Sequence, residues 1–526
     1  MEGALSGRQA AAEPLERLRE RLAELADLEA VCGLLGWDQE TMMPPGGVRA
    51  RADQLATLER LAHERLTAVE VGDWLEQLDG ALPAGVHEQA AATGEPDVPA
   101  DRDAALVRVA RSDREKALRV PLSLRVELAR ARSLGQHAWA QARAADDFAA
   151  FLPQLREIVA LTRRYIACFP EVEHPYDAVL DDYEPGMRTE QVRSVFAQLR
   201  DGLRPLIAAI ERSREAGLAP EPLSAPFPTD AQRRLVRGVL LDVGLAPSQS
   251  RLDESQHPFS TAVALEDQRI TARFTEDSLE ALFAGLHEFG HALYDSQIDR
   301  ALERTPLCAG VSSSVHESQS RLWENMVGRS RAGAGYLLPR LREAFPGRFE
   351  DLDEFGLYRA VNVVEPSLIR VQADEVTYAL HIILRFDLEL ELFEGLLEPD
   401  DLAEAWRERA RLYLGVEVPD DARGVLQDIH WSFGGFGYFP TYALGNLIAA
   451  QLWACAREDH PDLDERIAAG DFAPLRGWLG GHVHRYGRMF TPAQTLRRAI
   501  GADLDARPFL DYLWAKHADI HGVRRD

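Results

Sequence analysis

The sequence predicts a mainly α-helical protein with one small β element. Two observations carry that reading. Apolar residues recur at three- and four-residue spacing along most of the chain, as at Leu15, Leu18, Leu22, Leu25 and Leu28, which is the period of one helix face. Extended, alternating character is confined to 260–275, with a weaker signal over 430–440. No internal repeat interrupts the pattern.

In chain order, residues 13–36 read as an amphipathic helix. The stretch Trp37 to Gly47 ends in Pro44-Pro45-Gly46-Gly47 and turns the chain. A second long helix, with Leu55, Leu58, Leu61 and Leu66 on one side, completes a helical hairpin. Residues 80–103, rich in Ala, Gly, Pro and acids, read as a mobile connection. Helical pattern resumes over 104–170. A polar, proline-containing break at 174–189 precedes a helix at 189–215, and 216–231 is a proline-rich loop. Asp267 to Phe274 reads as a short strand, with Arg269, Thr271 and Arg273 on one face and Ile270 and Phe274 on the other. A strand ahead of a metal-binding helix suits edge pairing with an extended peptide.

Residues 281–298 form a helix with Leu282, Leu286, Phe289 and Leu293 on its apolar face. Another helix starts near Ser314, and a long apolar one covers 376–398. A cluster of glycine, aromatic and polar residues occupies 424–446, and the remainder is helical. The expected organisation is one unit over 1–526. It comprises an N-terminal helical part to about 230, a metal-site part over about 250–450, and C-terminal helices from about 450.

With 526 residues, 46% of them hydrophobic, the chain can bury a large core. A formal charge of −26 argues against nucleic acid or an anionic membrane as partner and mostly serves solubility. Cys32, Cys168, Cys308 and Cys455 are dispersed and read as reduced thiols of a cytoplasmic protein. The N-terminus has no apolar signal core, and no apolar run is long enough to cross a membrane.

The chemistry centres on His287-Glu288-Phe289-Gly290-His291. On a helix, residues four apart share a face, so both imidazoles can aim at one divalent ion. Glu288 stands beside them, placed to act as general base on a water molecule. A third ligand is needed, and Glu317, at the start of the next helix, is the best candidate. Asp295 and Asp299 compete, but a residue four after His291 reaches the ion's flank at best. Zinc is the first choice of metal for two histidines and a glutamate, with cobalt or manganese also accommodated.

The motifs resemble those of the M32 metallocarboxypeptidases, the carboxypeptidase Taq family. D-x-R-x-T stands at Asp267, Arg269 and Thr271, and H-E-x-x-H at His287, Glu288 and His291. H-E-S-Q is His316 to Gln319, and I-R-x-x-A-D is Ile369, Arg370, Ala373 and Asp374. G-x-x-Q-D-x-H-W is Gly424, Gln427, Asp428, His430 and Trp431. Trp37 to Pro44 and Phe439 to Tyr442 add to the likeness, which spans roughly 30–450. One departure is visible: no Gly-Pro precedes Asp267. The resemblance implies a large helical zincin fold like that of neurolysin and angiotensin-converting enzyme, with a long central cleft and the small β element beside the metal helix. It also implies a homodimer that removes single residues from peptide C-termini with broad specificity.

In such an enzyme His287, His291 and Glu317 would hold the metal and Glu288 would move the proton. His430, Tyr438 and Tyr442 are the candidates to stabilise the oxyanion or touch substrate. Arg370, then Arg269, would bind the substrate α-carboxylate, unless each braces a neighbouring acid, Asp374 or Asp267. His316 and Gln319 are expected to support Glu317. Two alternatives remain open: an endopeptidase or peptidyl-dipeptidase on the same fold, and a non-catalytic peptide-binding scaffold.

Overall fold

Leu15, Leu18, Leu22 and Leu25 lie on one face of a helix, Glu2–Thr41, and all four are buried, as the spacing requires. The computed structural model describes residues 2–79 and 99–525. After the turn at Pro45–Gly47 the chain returns as Val48–Thr67, packed on the first helix to give the expected hairpin. The expected mobile connection lies outside the described residues from 80 to 98. Residues 99–103 are already helical, in Pro99–Arg119.

Two cores result. A smaller one joins the N-terminal helices, through Leu18, Val71 and Leu106, to Leu302, Leu307 and Phe490. The larger one runs from Val120 to Ile520. Among the described residues no helix is long and apolar enough to cross a membrane.

The β element has three strands: β1 (Ser250–Glu254), β2 (Ser260–Ala264) and β3 (Asp267–Ala272), in the order β1-β3-β2. β1 pairs parallel and β2 antiparallel with β3. The strand expected from the sequence is therefore the central one. Both its edges are occupied, so it cannot take an added peptide strand. The weaker extended signal at 430–440 is not a strand either. Positive φ at Gly434 and Gly437 breaks it into a 3-10 turn, His430–Phe433, and the start of a helix, Phe439–Asp459.

Three helices meet at the centre. The metal helix is Glu280–Ser296. Ser313–Arg321 follows, capped by Ser312 accepting from the Val315 N–H, and it continues into a π-helical turn, Leu322–Gly328. The third is Phe439–Asp459. Glycines allow unusually close crossings. A Cβ on Gly290 would collide with the Gln319 carbonyl and lie 2.6 Å from Ser320 Cα. A Cβ on Gly445 would lie 2.7 Å from Glu317 Cγ. The Glu317 helix is thus held between two backbones that no larger residue permits.

Gly290→Ala should destabilise the fold by about 1–3 kcal/mol, the usual cost of overpacking, and weaken metal retention as the helices separate. Denaturant melts and metal analysis measure both. Wild-type values in each would mean that the crossing has slack.

Candidate metal centre

The helical spacing of His287 and His291 does what the sequence promises. Their Nε2 atoms face one Glu317 oxygen, Oε2, at 3.6 and 3.4 Å. The three side chains offer donor atoms all within 4.8 Å of one another. Two imidazoles and a carboxylate leave a tetrahedral ion one open position, the arrangement of catalytic zinc sites.

The far side of each ligand is occupied. His287 Nδ1 lies 2.9 Å from Glu324 Oε2. His291 Nδ1 lies 2.6 Å from His316 Nδ1, and His316 Nε2 is 3.1 Å from Asp295 Oδ1. With Nδ1 engaged outward, both Nε2 atoms are presented to the shared point. Glu317 accepts from Arg321 Nε at 2.7 Å and from Ser320 Oγ at 3.0 Å. His316 therefore backs His291 and not Glu317. Gln319 also misses Glu317, lying instead 2.8 Å from His484 Nε2. Asp295 serves the same chain from the metal helix, away from the shared point.

The electrostatics fit a cation. Four acids, Glu288, Glu317, Glu324 and Asp295, surround the histidines, against Arg321 and Arg329. Burial raises the Glu317 carboxyl, but Arg321 and the two histidines overcome it and hold the group far below its ordinary value. Burial pushes His291 down to about 4, keeping it a neutral donor. In His287 burial is outweighed by Glu317 and Glu324, and its pKa rises. Glu288 is buried, and that burial, opposed by His287 and aided by Glu317, lifts its carboxyl to about 7.

The remaining candidates lie in two places. Arg370 is buried and paired with Asp428, not Asp374. Its Nε and Nη2 lie 3.0 and 2.8 Å from Asp428 Oδ1. Asp374 instead accepts from Val376 and Thr377 in its own turn and from the Glu365 N–H nine residues earlier. Arg370 donates to Tyr378 at 3.1 Å, and its guanidinium stands 4.8 Å from the Tyr442 ring centre. Arg385 also pairs with Asp428, at 2.7 Å. His430 Nε2 is 3.3 Å from the Tyr442 hydroxyl. Tyr438 packs edge-on against both Tyr442 and Tyr183. Burial, then the nearby Arg370 charge, pushes His430 down to about 3. Burial raises Tyr438 and Tyr442, and the Glu317 charge adds to both, so their hydroxyls stay protonated.

Arg269 sits apart, on β3. Asp267 takes it in two bonds of 2.9 Å. The Trp37 ring of the first helix lies against both Arg269 and Arg251, at 4.5 and 4.7 Å.

Sequence reasoning missed Arg321 and Glu324. They stand four and seven residues after Glu317, one helix face, so the spacing alone would have flagged them. It also missed Glu184, which caps the Glu317 helix by accepting from the Ser314 N–H and Oγ at 2.5 and 2.6 Å. No local pattern marks that residue.

The comparisons with known proteins agree with this geometry. The family model described as carboxypeptidase Taq (M32) metallopeptidase matches residues 17–517. Thermostable carboxypeptidase 1 of Thermus thermophilus is 43% identical over 519 residues, covering 96% of this chain and 99% of that protein. Carboxypeptidase 1 of Bacillus subtilis is 34% identical, covering 95% and 97%. The crystal structure of an M32 carboxypeptidase from Deinococcus radiodurans R1 superposes with a TM-score of 0.90 at 40% identity, covering 97% of this chain and all of that one. The chain belongs to the carboxypeptidase Taq (M32) metallopeptidase family.

Proposed function

We propose that this protein is a metal-dependent carboxypeptidase that removes single C-terminal residues from peptides with broad specificity. The observation that carries the reading is the convergence of His287, His291 and Glu317 on one point, with the buried Glu288 carboxyl beside them.

A divalent ion bound there would supply Lewis-acid polarisation of the scissile carbonyl and of the attacking water. Zinc suits the donor set best, and cobalt or manganese would also be accepted. Glu288 takes the proton of the water and returns it to the leaving amine. A carboxyl can perform both transfers, accepting the proton in the first and donating it in the second. The hydroxyls of Tyr438 and Tyr442 are donors for the developing oxyanion, with neutral His430 orienting Tyr442.

The substrate carboxylate is assigned to Arg370 because its acid is shared: Arg370 and Arg385 divide the two oxygens of Asp428. Arg269 is matched one to one by Asp267 and is the weaker candidate. The four cysteines are free, which fits a reducing compartment. We read the protein as a cytoplasmic homodimer, the latter on family resemblance alone.

Mass spectrometry of a peptide mixture incubated with the zinc-loaded protein tests the reading. Ladders of single C-terminal losses, with amidated peptides spared, are expected. Internal cuts or dipeptide release would favour an endopeptidase or peptidyl-dipeptidase, and intact peptides a scaffold.

Glu317→Ala should sharply reduce bound metal, because two imidazoles leave the ion under-coordinated. Stoichiometric metal after dialysis at low free-ion concentration would remove Glu317 from the ligand set.

Glu288→Gln should keep its metal and fold yet lose turnover by about a hundredfold or more, since an amide cannot accept the proton. Near-normal turnover at full metal content would exclude Glu288 as base.

Arg370→Ala leaves Asp428 paired with Arg385, so the fold should survive. Its kcat/KM on free-acid peptides should fall by roughly 2–5 kcal/mol of transition-state binding, the range for truncating one member of a buried charge pair. Lysine should rescue it only in part, and discrimination against amidated peptides should shrink. Equal losses on free-acid and amidated substrates would make Arg370 structural.

A further inference from the structure

Glu389 is completely buried on the helix Tyr378–Glu394, and the reaction as described makes no use of it. A carboxylate with no access to water is costly unless its oxygens are fully engaged. Here they are. Oε1 accepts from Trp431 Nε1 at 2.7 Å. Oε2 accepts from the Tyr176 hydroxyl at 2.6 Å and from the Gly437 N–H at 3.0 Å.

The placement of those donors is what matters. Trp431 and Gly437 stand at the two ends of the turn that begins at His430 and delivers the chain to Tyr438. One turn earlier on the same helix, Arg385 holds Asp428, just before that turn. Successive helical turns therefore pin the loop at 428, 431 and 437. Gly437 has a φ of +86°, and a Cβ there would lie 2.9 Å from Leu180 N. The loop is pressed against the segment that supplies Tyr176. That segment also carries Tyr183, whose ring packs on Tyr438 at 5.0 Å.

We propose that Glu389 is a positioning residue for peptide hydrolysis: by clamping both ends of the 431–437 turn it fixes His430 and Tyr438 relative to the metal centre. The inference rests on the reading that this turn faces the reacting carbonyl.

The test uses the full-length, zinc-loaded protein and four variants: Glu389→Gln, Trp431→Phe, the two combined, and Tyr438→Phe. In Glu389→Gln the new amide N–H must face a donor, and facing Trp431 costs fewest bonds. Zinc content and KM should stay near wild type while kcat falls roughly ten- to hundredfold, the scale of small misplacements in a site. Trp431→Phe removes the same bond from its other end, so it should lower kcat by itself, and the double variant should lose little more than Glu389→Gln alone. A lowered melting temperature with unchanged kcat, or fully additive losses in the double variant, would overturn the proposal. Tyr438→Phe separates this failure from failure of the underlying reading. A loss of kcat in Tyr438→Phe with none in Glu389→Gln leaves the reading intact and removes Glu389. Unchanged kcat in Tyr438→Phe removes both. If Glu389→Gln does not fold, Tyr176→Phe deletes one donor without opposing two. It must then lower kcat at constant KM, and unchanged kcat overturns the proposal.

Discussion

The site depends on how closely three helices can approach Glu317. Gly290 lets the metal helix lie against the backbone of Gln319 and Ser320, and Gly445 lets a third helix touch the Glu317 side chain itself. Packing this tight is stiff, and added volume has nowhere to go. A carboxylate and two imidazoles from separate helices can therefore face one another without relying on the flexibility of any of them.

Close packing alone would be unfavourable, because it buries charge. The structure offsets this in pairs. Glu317 has Arg321, His287 has Glu324, and His291 has His316 backed by Asp295. Arg321 also reaches Glu324 at 3.3 Å, so the supports of two ligands are joined. The acids still outnumber the fixed cations. A divalent ion at the shared point would neutralise that surplus, which makes metal retention and local stability parts of one balance.

The parts legible in the sequence are those fixed by local spacing. Histidines four apart on an apolar helix can only share a face, and the leucines of the first helix can only be buried on one side. What escaped depends on partners remote in the chain. Asp267 to Ala272 has strand character, but nothing local shows that β1 will pair with it in parallel and make it central. The 424–446 cluster looked partly extended because aromatic residues favour strands. Two glycines at positive φ turned it into a helical turn instead. Glu184 and Glu389 read as ordinary acids until their donors, about 130 and 40–210 residues away, are in place. His316 stands next to Glu317 in sequence but on a different helix face, so sequence adjacency misassigned its partner.

The two motif arginines show how alike patterns acquire different properties. Each is an Arg near an Asp in the sequence. In Arg269 the nearby acid is the partner, with both oxygens engaged and Trp37 on the guanidinium face. That arrangement braces the first helix against the sheet. In Arg370 the nearby acid is spent on its own turn, and the partner, Asp428, is shared with Arg385. Sharing gives each guanidinium one oxygen of Asp428, whereas Arg269 holds both oxygens of Asp267. The buried helix bearing Arg385 and Glu389 therefore does two tasks at once. It holds Asp428 through Arg385, and it holds the turn between His430 and Tyr438 through Glu389. An apolar pair at these positions would pack more cheaply but would leave the loop without an anchor and Asp428 without its second partner.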